Sequence, residues 1–255
     1  MTTALITGAT AGIGREFAEQ LAARGHDLVI VARDESRLAE VRDEITARYQ
    51  VAVEVLAADL SDRTATERVA QRVSDRERPI DLLVNNAGYG LPGSFLETDI
   101  DDEEALLDVL VRAVLVLSHA AAQAMVSRGR GQIINVASVA AYLASGTYSA
   151  AKSWVVVFSE SLSGQLDGTG VGVSVLAPGF VRTEFHERAA IDVGDREGTL
   201  WLDPTMTVQT ALDDAGAGKV VSVPGLQYRA IVTLLRHLPR RVIRHPGVVG
   251  RQRPR

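Results

Sequence analysis

Apolar runs recur along the chain at 4–7, 27–32, 51–57, 82–85, 132–137, 172–177 and 220–223. Runs this short, bounded by turn residues, read as buried strands. The stretches between them, about 12 to 30 residues long, carry helical period. The clearest is 36–49, where Leu38, Val41 and Ile45 stand at i, i+3 and i+7. Strand alternating with helix predicts right-handed βαβ crossovers and an α/β fold. The expected architecture is a doubly wound, mainly parallel seven-stranded sheet with helices on both faces. No Gly-, Pro- or Ser-rich linker divides the chain, so residues 1–255 are expected to form a single domain, with a basic extension from about 229 to 255. Residues 186–203 show no clean period beside Pro178-Gly179 and are expected to form a lid.

The ends of the apolar runs carry the chemistry. The first leads into Thr7-Gly8-Ala9-Thr10-Ala11-Gly12-Ile13-Gly14 and then a helical pattern with Phe17 and Leu21. Glycines at 8, 12 and 14 permit a tight turn and close backbone approach, which suits a diphosphate on the amides and dipole of a helix N-terminus. The spacing is G-x-x-x-G-x-G, and taken alone it also fits a purely structural turn. Asp59-Leu60 ends the third run, Asn85-Asn86-Ala87-Gly88 the fourth, and Ser138 follows the fifth. Carboxyl ends of strands are where an open α/β sheet binds its ligand. Singly, Asp59 also fits a helix cap, the asparagines a turn, and Ser138 a solvated loop.

Tyr148-Ser149-Ala150-Ala151-Lys152 places a phenol and an ammonium at i and i+4, one face of a helix. A fixed cation nearby is expected to lower the phenol's pKa from about 10 towards working pH, making Tyr148 a usable acid/base. An ordinary surface pair is the alternative.

Together, Thr7 to Gly14, Asn85 to Gly88, Ser138, Tyr148-x-x-x-Lys152 and Pro178-Gly179 followed by Thr183 resemble the short-chain dehydrogenase/reductase family, in its compact single-domain, Rossmann-fold branch. The likeness covers residues 2 to about 185, and 200–241 also resemble a bacterial subgroup of unassigned reductases. The resemblance implies that Gly8, Thr10, Gly12, Ile13 and Gly14 hold the coenzyme diphosphate. It puts Asp59 and Leu60 at the adenine and Asn86, Ala87 and Gly88 beside the ribose. Tyr148 becomes the acid/base, Lys152 its pKa-lowering partner and ribose ligand, and Ser138 the group polarising the substrate oxygen. Pro178, Gly179, Val181 and Thr183 bind the carboxamide. Arg33 ends the second strand where NAD-preferring relatives carry Asp, so NADP(H) is expected over NAD(H), with Arg33 on the 2′-phosphate. One departure stands out: aligning Val109-Leu110-Val111-Arg112-Ala113 with the family's Val-Asn-x-x-Ala puts Leu110 where an Asn normally extends the proton relay.

Composition narrows the classes. The chain has no cysteine and five scattered histidines, which leaves no metal-ligand spacing. The most hydrophobic stretch, 109–126, is broken by Arg112, Ser118, His119 and Gln123, so no membrane span is expected, and the absence of a basic, signal-like start points to the cytoplasm. There are two lysines, Lys152 and Lys219. Residues 1–214 hold 18 Lys+Arg against all 32 acids, while 215–255 hold nine Lys+Arg and no acid.

The expected function is hydride transfer between a nicotinamide cofactor and a small-molecule carbonyl or secondary alcohol. Tyr89, Leu91, Phe95, Tyr142, Leu143, Phe180, Phe185 and Trp201 are candidate pocket walls for a hydrophobic substrate, the alternative being that several simply pack under the lid. Two alternatives are a non-catalytic or weakly active NADP-binding sensor or scaffold, motivated by Leu110, and a ketoreductase for carrier-bound acyl chains. A homodimer or homotetramer is expected because segments 102–128 and 148–167 resemble those that pair across a two-fold in that family, with apolar positions on several faces of each. In the tail, 220–228 reads as a last strand and turn. From Arg229, the residues Ile231, Leu234, Leu235 and Leu238 describe a basic amphipathic helix broken at Pro239, which packs on protein or lies peripherally on an anionic membrane. Residues 247–255 read as disordered, and no nucleic-acid module accompanies the tail.

Overall fold

Seven strands, β1 (Thr3–Thr7), β2 (Asp27–Ala32), β3 (Val53–Ala57), β4 (Leu82–Asn85), β5 (Gly131–Val136), β6 (Val171–Leu176) and β7 (Val221–Ser222), pair in the order β3-β2-β1-β4-β5-β6-β7. Every pairing is parallel. This computed structural model describes residues 2–184 and 200–243. The order reverses between β1 and β4, which opens a crevice at the carboxyl edge of the sheet.

The helices are α1 (Gly12–Ala23), α2 (Glu35–Tyr49), α3 (Arg63–Val73), α4 (Ile100–Leu107), α5 (Ala113–Arg128), α6 (Gly146–Gln165), α7 (Pro204–Gly216), α8 (Leu226–His237) and α9 (Arg240–Ile243). Side chains alternate across a strand, so a sheet covered on both faces must be apolar at successive positions. Ile6 and Ile30 accordingly pack with Phe17, Leu21, Leu38 and Val208 on one face, while Leu5, Leu83 and Ile133 pack with Val69, Leu117 and Met125 on the other. Asp34, Asp62, Asp99 and Asp203 cap the starts of α2, α3, α4 and α7 by accepting main-chain N–H bonds.

Two expectations need correction. The first concerns the helical run Ile100–Arg128, which includes a π-helical turn at Asp108–Arg112 between α4 and α5. It contains a window of mean hydropathy 1.8, long and apolar enough by length and composition to cross a membrane; half of that window is buried against the rest of the chain. The polar residues thought to interrupt it are partly absorbed by packing. Ser118 is fully buried and bonded to Asn85, and Arg112 reaches the Leu60 and Ser61 carbonyls.

The second lies in the tail. Helix α8 begins at Leu226, after Gly225 at φ +83°, so Tyr228 belongs to a helix rather than a turn. Its buried face is Tyr228, Val232 and Leu235. Of the expected stripe, Ile231 and Leu234 are exposed. Phe185, most of the expected lid (186–199) and 247–255 lie outside the described residues.

Candidate active site

The turn after β1 is held by contacts that only glycine permits. Gly8 (φ +69°) and Gly12 (φ +54°) occupy the left-handed region. A Cβ on Gly14 would stand 2.2 Å from the Gly8 carbonyl oxygen and 2.3 Å from Asn86 Nδ2. Asn86 Nδ2 donates to Thr7 O at 2.9 Å and Gly8 O at 3.3 Å, while the Asn86 and Ala87 amides donate to Thr7 Oγ1 at 2.9 and 3.0 Å. The Asn86 side chain therefore fixes the glycine turn from β4. Thr10 is half-buried within it, and Ile13 packs across to the helices of two core clusters.

Along the same edge, Arg33 is exposed directly after β2. Asp59, half-buried after β3, accepts from Ser61 N at 2.9 Å and Ser61 Oγ at 2.7 Å, an Asx turn, whereas the cap of α3 is Asp62. Leu60 is buried in the core.

On the other side of the crevice, Ser138 opens a 3-10 turn at Val139–Tyr142 by accepting from Ala140 N at 3.1 Å. Its hydroxyl also hydrogen-bonds the Tyr148 phenol in the first turn of α6. Lys152, one turn on, is only 4% exposed. Its Nζ donates to Val136 O at 2.7 Å and lies 5.8 Å from the Tyr148 ring centroid. A Cβ on Gly88 would come within 3.6 Å of that Nζ. Val139 N donates to Pro178 O at 2.9 Å, which joins the Ser138 turn to the segment after β6. There Val181 is buried and bridges Leu202, and the Thr183 side chain lies over Gly12, 3.1 Å from where its Cβ would be. The described sequence-predicted residues thus lie along one edge of the sheet, with Gly8 and Gly12 half-buried and Gly88 exposed. That arrangement fits a dinucleotide.

The pattern that defines short chain dehydrogenases matches residues 2–193. This chain is a short-chain dehydrogenase. An uncharacterized oxidoreductase of Staphylococcus saprophyticus is 36% identical over 212 residues, 82% of this chain and 88% of the relative. A short-chain dehydrogenase from Sphingobium yanoikuyae, solved in complex with NADPH, superposes with a TM-score of 0.84 at 33% identity, covering 94% of this chain and 97% of that one. The bulky-bulky ketone specific alcohol dehydrogenase from Comamonas testosteroni gives 0.80 at 28% identity, covering 94% and 95%. The dehydrogenase is accordingly an NAD(P)-dependent oxidoreductase.

The electrostatics of the Ser138, Tyr148 and Lys152 cluster differ from the expectation. Burial pushes the Tyr148 phenol up to about 12, and the Ser138 hydrogen bond pulls it only part of the way back. Burial also pushes the Lys152 ammonium down to about 8. Desolvation dominates at both groups, because both sit against apolar neighbours. Those neighbours include Leu110, fully buried with Leu106 and Ala151, with Tyr148, Tyr89 and Leu91 packed against them. A Cβ on Gly88 would stand 2.9 Å from Leu110 Cδ2. The π-helical turn thus carries Leu110 to the wall of the site.

Sequence reasoning missed two further features of the dehydrogenase. Tyr228 of α8 lies flat against Gly179, accepts from Phe180 N at 3.0 Å and donates to Leu200 O at 2.7 Å. It fixes both ends of the segment on the substrate side. Trp201, expected in the pocket, is instead buried, its ring 5.5 Å from Phe180. The second feature is a buried chain of bonds from Asn85 to Ser118 and Asn135, and from Asn135 to Ser159. The visible signal was an Asn inside the apolar run Ile133-Ile134-Asn135-Val136, in register with Asn85.

Proposed function

We propose that this dehydrogenase is an NADP(H)-dependent carbonyl reductase or secondary-alcohol dehydrogenase for a hydrophobic substrate. The observation that carries the reading is the convergence of Ser138, Tyr148 and a dry Lys152 beside the glycine backbone of Gly88. The bound coenzyme supplies or accepts the hydride. Ser138 Oγ holds the substrate oxygen, and Tyr148 Oη gives it or takes from it the proton. Among the described residues Lys152 spends one of its three N–H donors on Val136 O, which leaves two for the ribose hydroxyls. As the site fills, those bonds favour the charged ammonium and bring the phenol back towards a working range. Gly8, Thr10, Gly12, Ile13 and Gly14 line the diphosphate, Asp59 and Leu60 the adenine, Asn86 to Gly88 the ribose, and Pro178 to Thr183 the carboxamide.

Arg33 supports the choice of NADP(H): it is an exposed cation directly after the carboxyl end of β2. The NADPH complex of the Sphingobium relative agrees with it. Exposed Phe95, Leu96 and Phe180 near the crevice support a hydrophobic substrate, as does the ketone specificity of the Comamonas relative. Exposed Leu107, Leu115 and Val157 on α4, α5 and α6 support pairing of these helices in a homo-oligomer.

The test is a screen of ketones, aldehydes and secondary alcohols with both coenzymes, using wild type and Tyr148→Phe. The variant should lose two or more orders of magnitude in turnover, the usual scale of general-acid catalysis, while still binding coenzyme. Full activity of the variant removes Tyr148 from the mechanism, and tighter binding of NADH than NADPH makes Arg33 a bystander.

A further inference from the structure

Helix α8 has two apolar faces, and among the described residues one of them is buried. Tyr228, Val232 and Leu235 are buried, while Leu226 (78% exposed), Leu234 (61%) and Ile231 project from the helix, followed by exposed Val242 on α9. Leu226, Ala230 and Leu234 follow at intervals of four, so they form one row along the helix surface. The charge that α8 and α9 themselves carry is all of one sign, within a stretch 215–255 that contains nine Lys+Arg and no acid. Arg229 and Arg241 are exposed, and Arg236 is held against Glu160 and Tyr142.

We propose that α8 and α9 form a docking face for an anionic phospholipid surface, with Leu226, Ile231 and Leu234 entering the headgroup layer and the arginines contacting phosphate. Three observations select this occupant. Exposed leucines beside acid-free basic sequence match an interfacial helix, whose affinity adds apolar burial to attraction by acidic lipid. A second copy docked through the same face across a two-fold would set these arginines against their own counterparts. Residues 1–214, with 18 Lys+Arg against 32 acids, are on balance repelled by an anionic surface, whereas α8 and α9 carry arginines and no acid.

The face is also tied to the site. Tyr228 bonds Phe180 N and Leu200 O, and Arg236 Nη2 donates to Tyr142 Oη at 3.1 Å. A helix lying on lipid therefore puts the substrate side of the crevice next to the acyl region. Loading of a lipid-soluble carbonyl compound from the membrane rests on the proposed reductase reading; the docking itself does not.

The test is co-sedimentation of the full chain with vesicles of phosphatidylcholine alone and of about three parts phosphatidylcholine to one part phosphatidylglycerol, at about 50 and about 500 mM salt. The Leu226→Gln/Leu234→Gln variant and Arg241→Gln are run alongside. All three positions are exposed, and NADPH titration of the same samples reports whether the site is intact. The expected result is binding to the anionic vesicles at low salt. It should be at least about tenfold weaker with neutral lipid, with high salt and in the leucine variant, with a smaller loss in Arg241→Gln. No binding by wild type, equal binding to neutral vesicles, or undiminished binding by the leucine variant would each overturn the proposal. So would a leucine variant that changes only the oligomer mass in light scattering, which would assign the face to a second copy. A chain that sediments with anionic vesicles but binds no NADPH would leave the docking standing and remove the reading of the site.

Discussion

On the β1 side of the crevice, Gly8, Gly14 and Asn86 hold one another through main-chain oxygens and a single amide; on the β6 side, Gly179 and Phe180 are held by Tyr228, a side chain 48 residues further along. The first arrangement has almost no room to change, because its spacing is set by absent Cβ atoms. The second is a phenol stapling two loop ends, and it can be altered without disturbing the sheet. A dinucleotide is common to many chemistries while the substrate differs among them, so the rigid side suits the shared ligand and the adjustable side the particular one.

This contrast can be broken by substitution. Gly14→Ala should do most: its methyl lands inside the contact distance of Gly8 O, which is main chain and cannot swing away. A loss of about 2–3 kcal/mol in urea unfolding is expected, on the scale of overpacking, together with loss of coenzyme binding. An unchanged midpoint with normal NADPH affinity would mean the turn is looser than its geometry. Leu110→Asn tests the seam between the two sides. A buried amide among Leu106, Ala151 and Tyr148 has no evident partner, so a cost of about 1–3 kcal/mol should accompany any change in turnover. A variant that gains turnover at undiminished stability would instead mean that the amide rejoins a proton path.

Tyr228→Phe should have a smaller and one-sided effect. Losing the bonds to Phe180 N and Leu200 O removes about 1 kcal/mol of positioning, read as a KM for substrate raised several-fold while NADPH affinity stays put. Equal weakening of both ligands would erase the distinction between the sides.

A different kind of effect is a pH dependence. Lys152 titrates near 8 in the folded chain against 10.5 in the unfolded one, so between those values the unfolded chain binds the extra proton and stability rises with pH. Tyr148, at about 12 against 10.0, acts oppositely above pH 10. The urea midpoint of the coenzyme-free dehydrogenase should therefore gain more between about pH 8 and 10 than that of Lys152→Met. Parallel curves would place Lys152 in a wetter site.

The glycine turn on the β1 side was legible in the sequence for the same reason that it is rigid. Its constraints are local: a strand, three glycines and a helix within 20 residues leave few alternatives, and each buried strand announced itself as an apolar run. The Tyr148–Lys152 pairing was legible through helical spacing alone, but the sign of its electrostatics was not, because desolvation depends on neighbours such as Leu110 and Leu106 brought in from another helix. Tyr228 was illegible because neither end of its staple is near it in sequence. The start of α8 was read three residues late for a related reason: Gly225 supplies the turn, but Leu226 is too exposed to mark a core-facing period.

The scarcity of lysine has a practical side. Of the two lysine amines, Lys152 is buried beside Tyr148, whereas Lys219 is exposed and paired with Asp214 at 3.1 Å. Lys219 precedes β7, at the amino edge of the parallel sheet and so opposite the crevice. An acylating reagent or an activated surface that attacks side-chain amines meets this molecule at one described point. Immobilised there, every copy would face solution with its reactive edge outward.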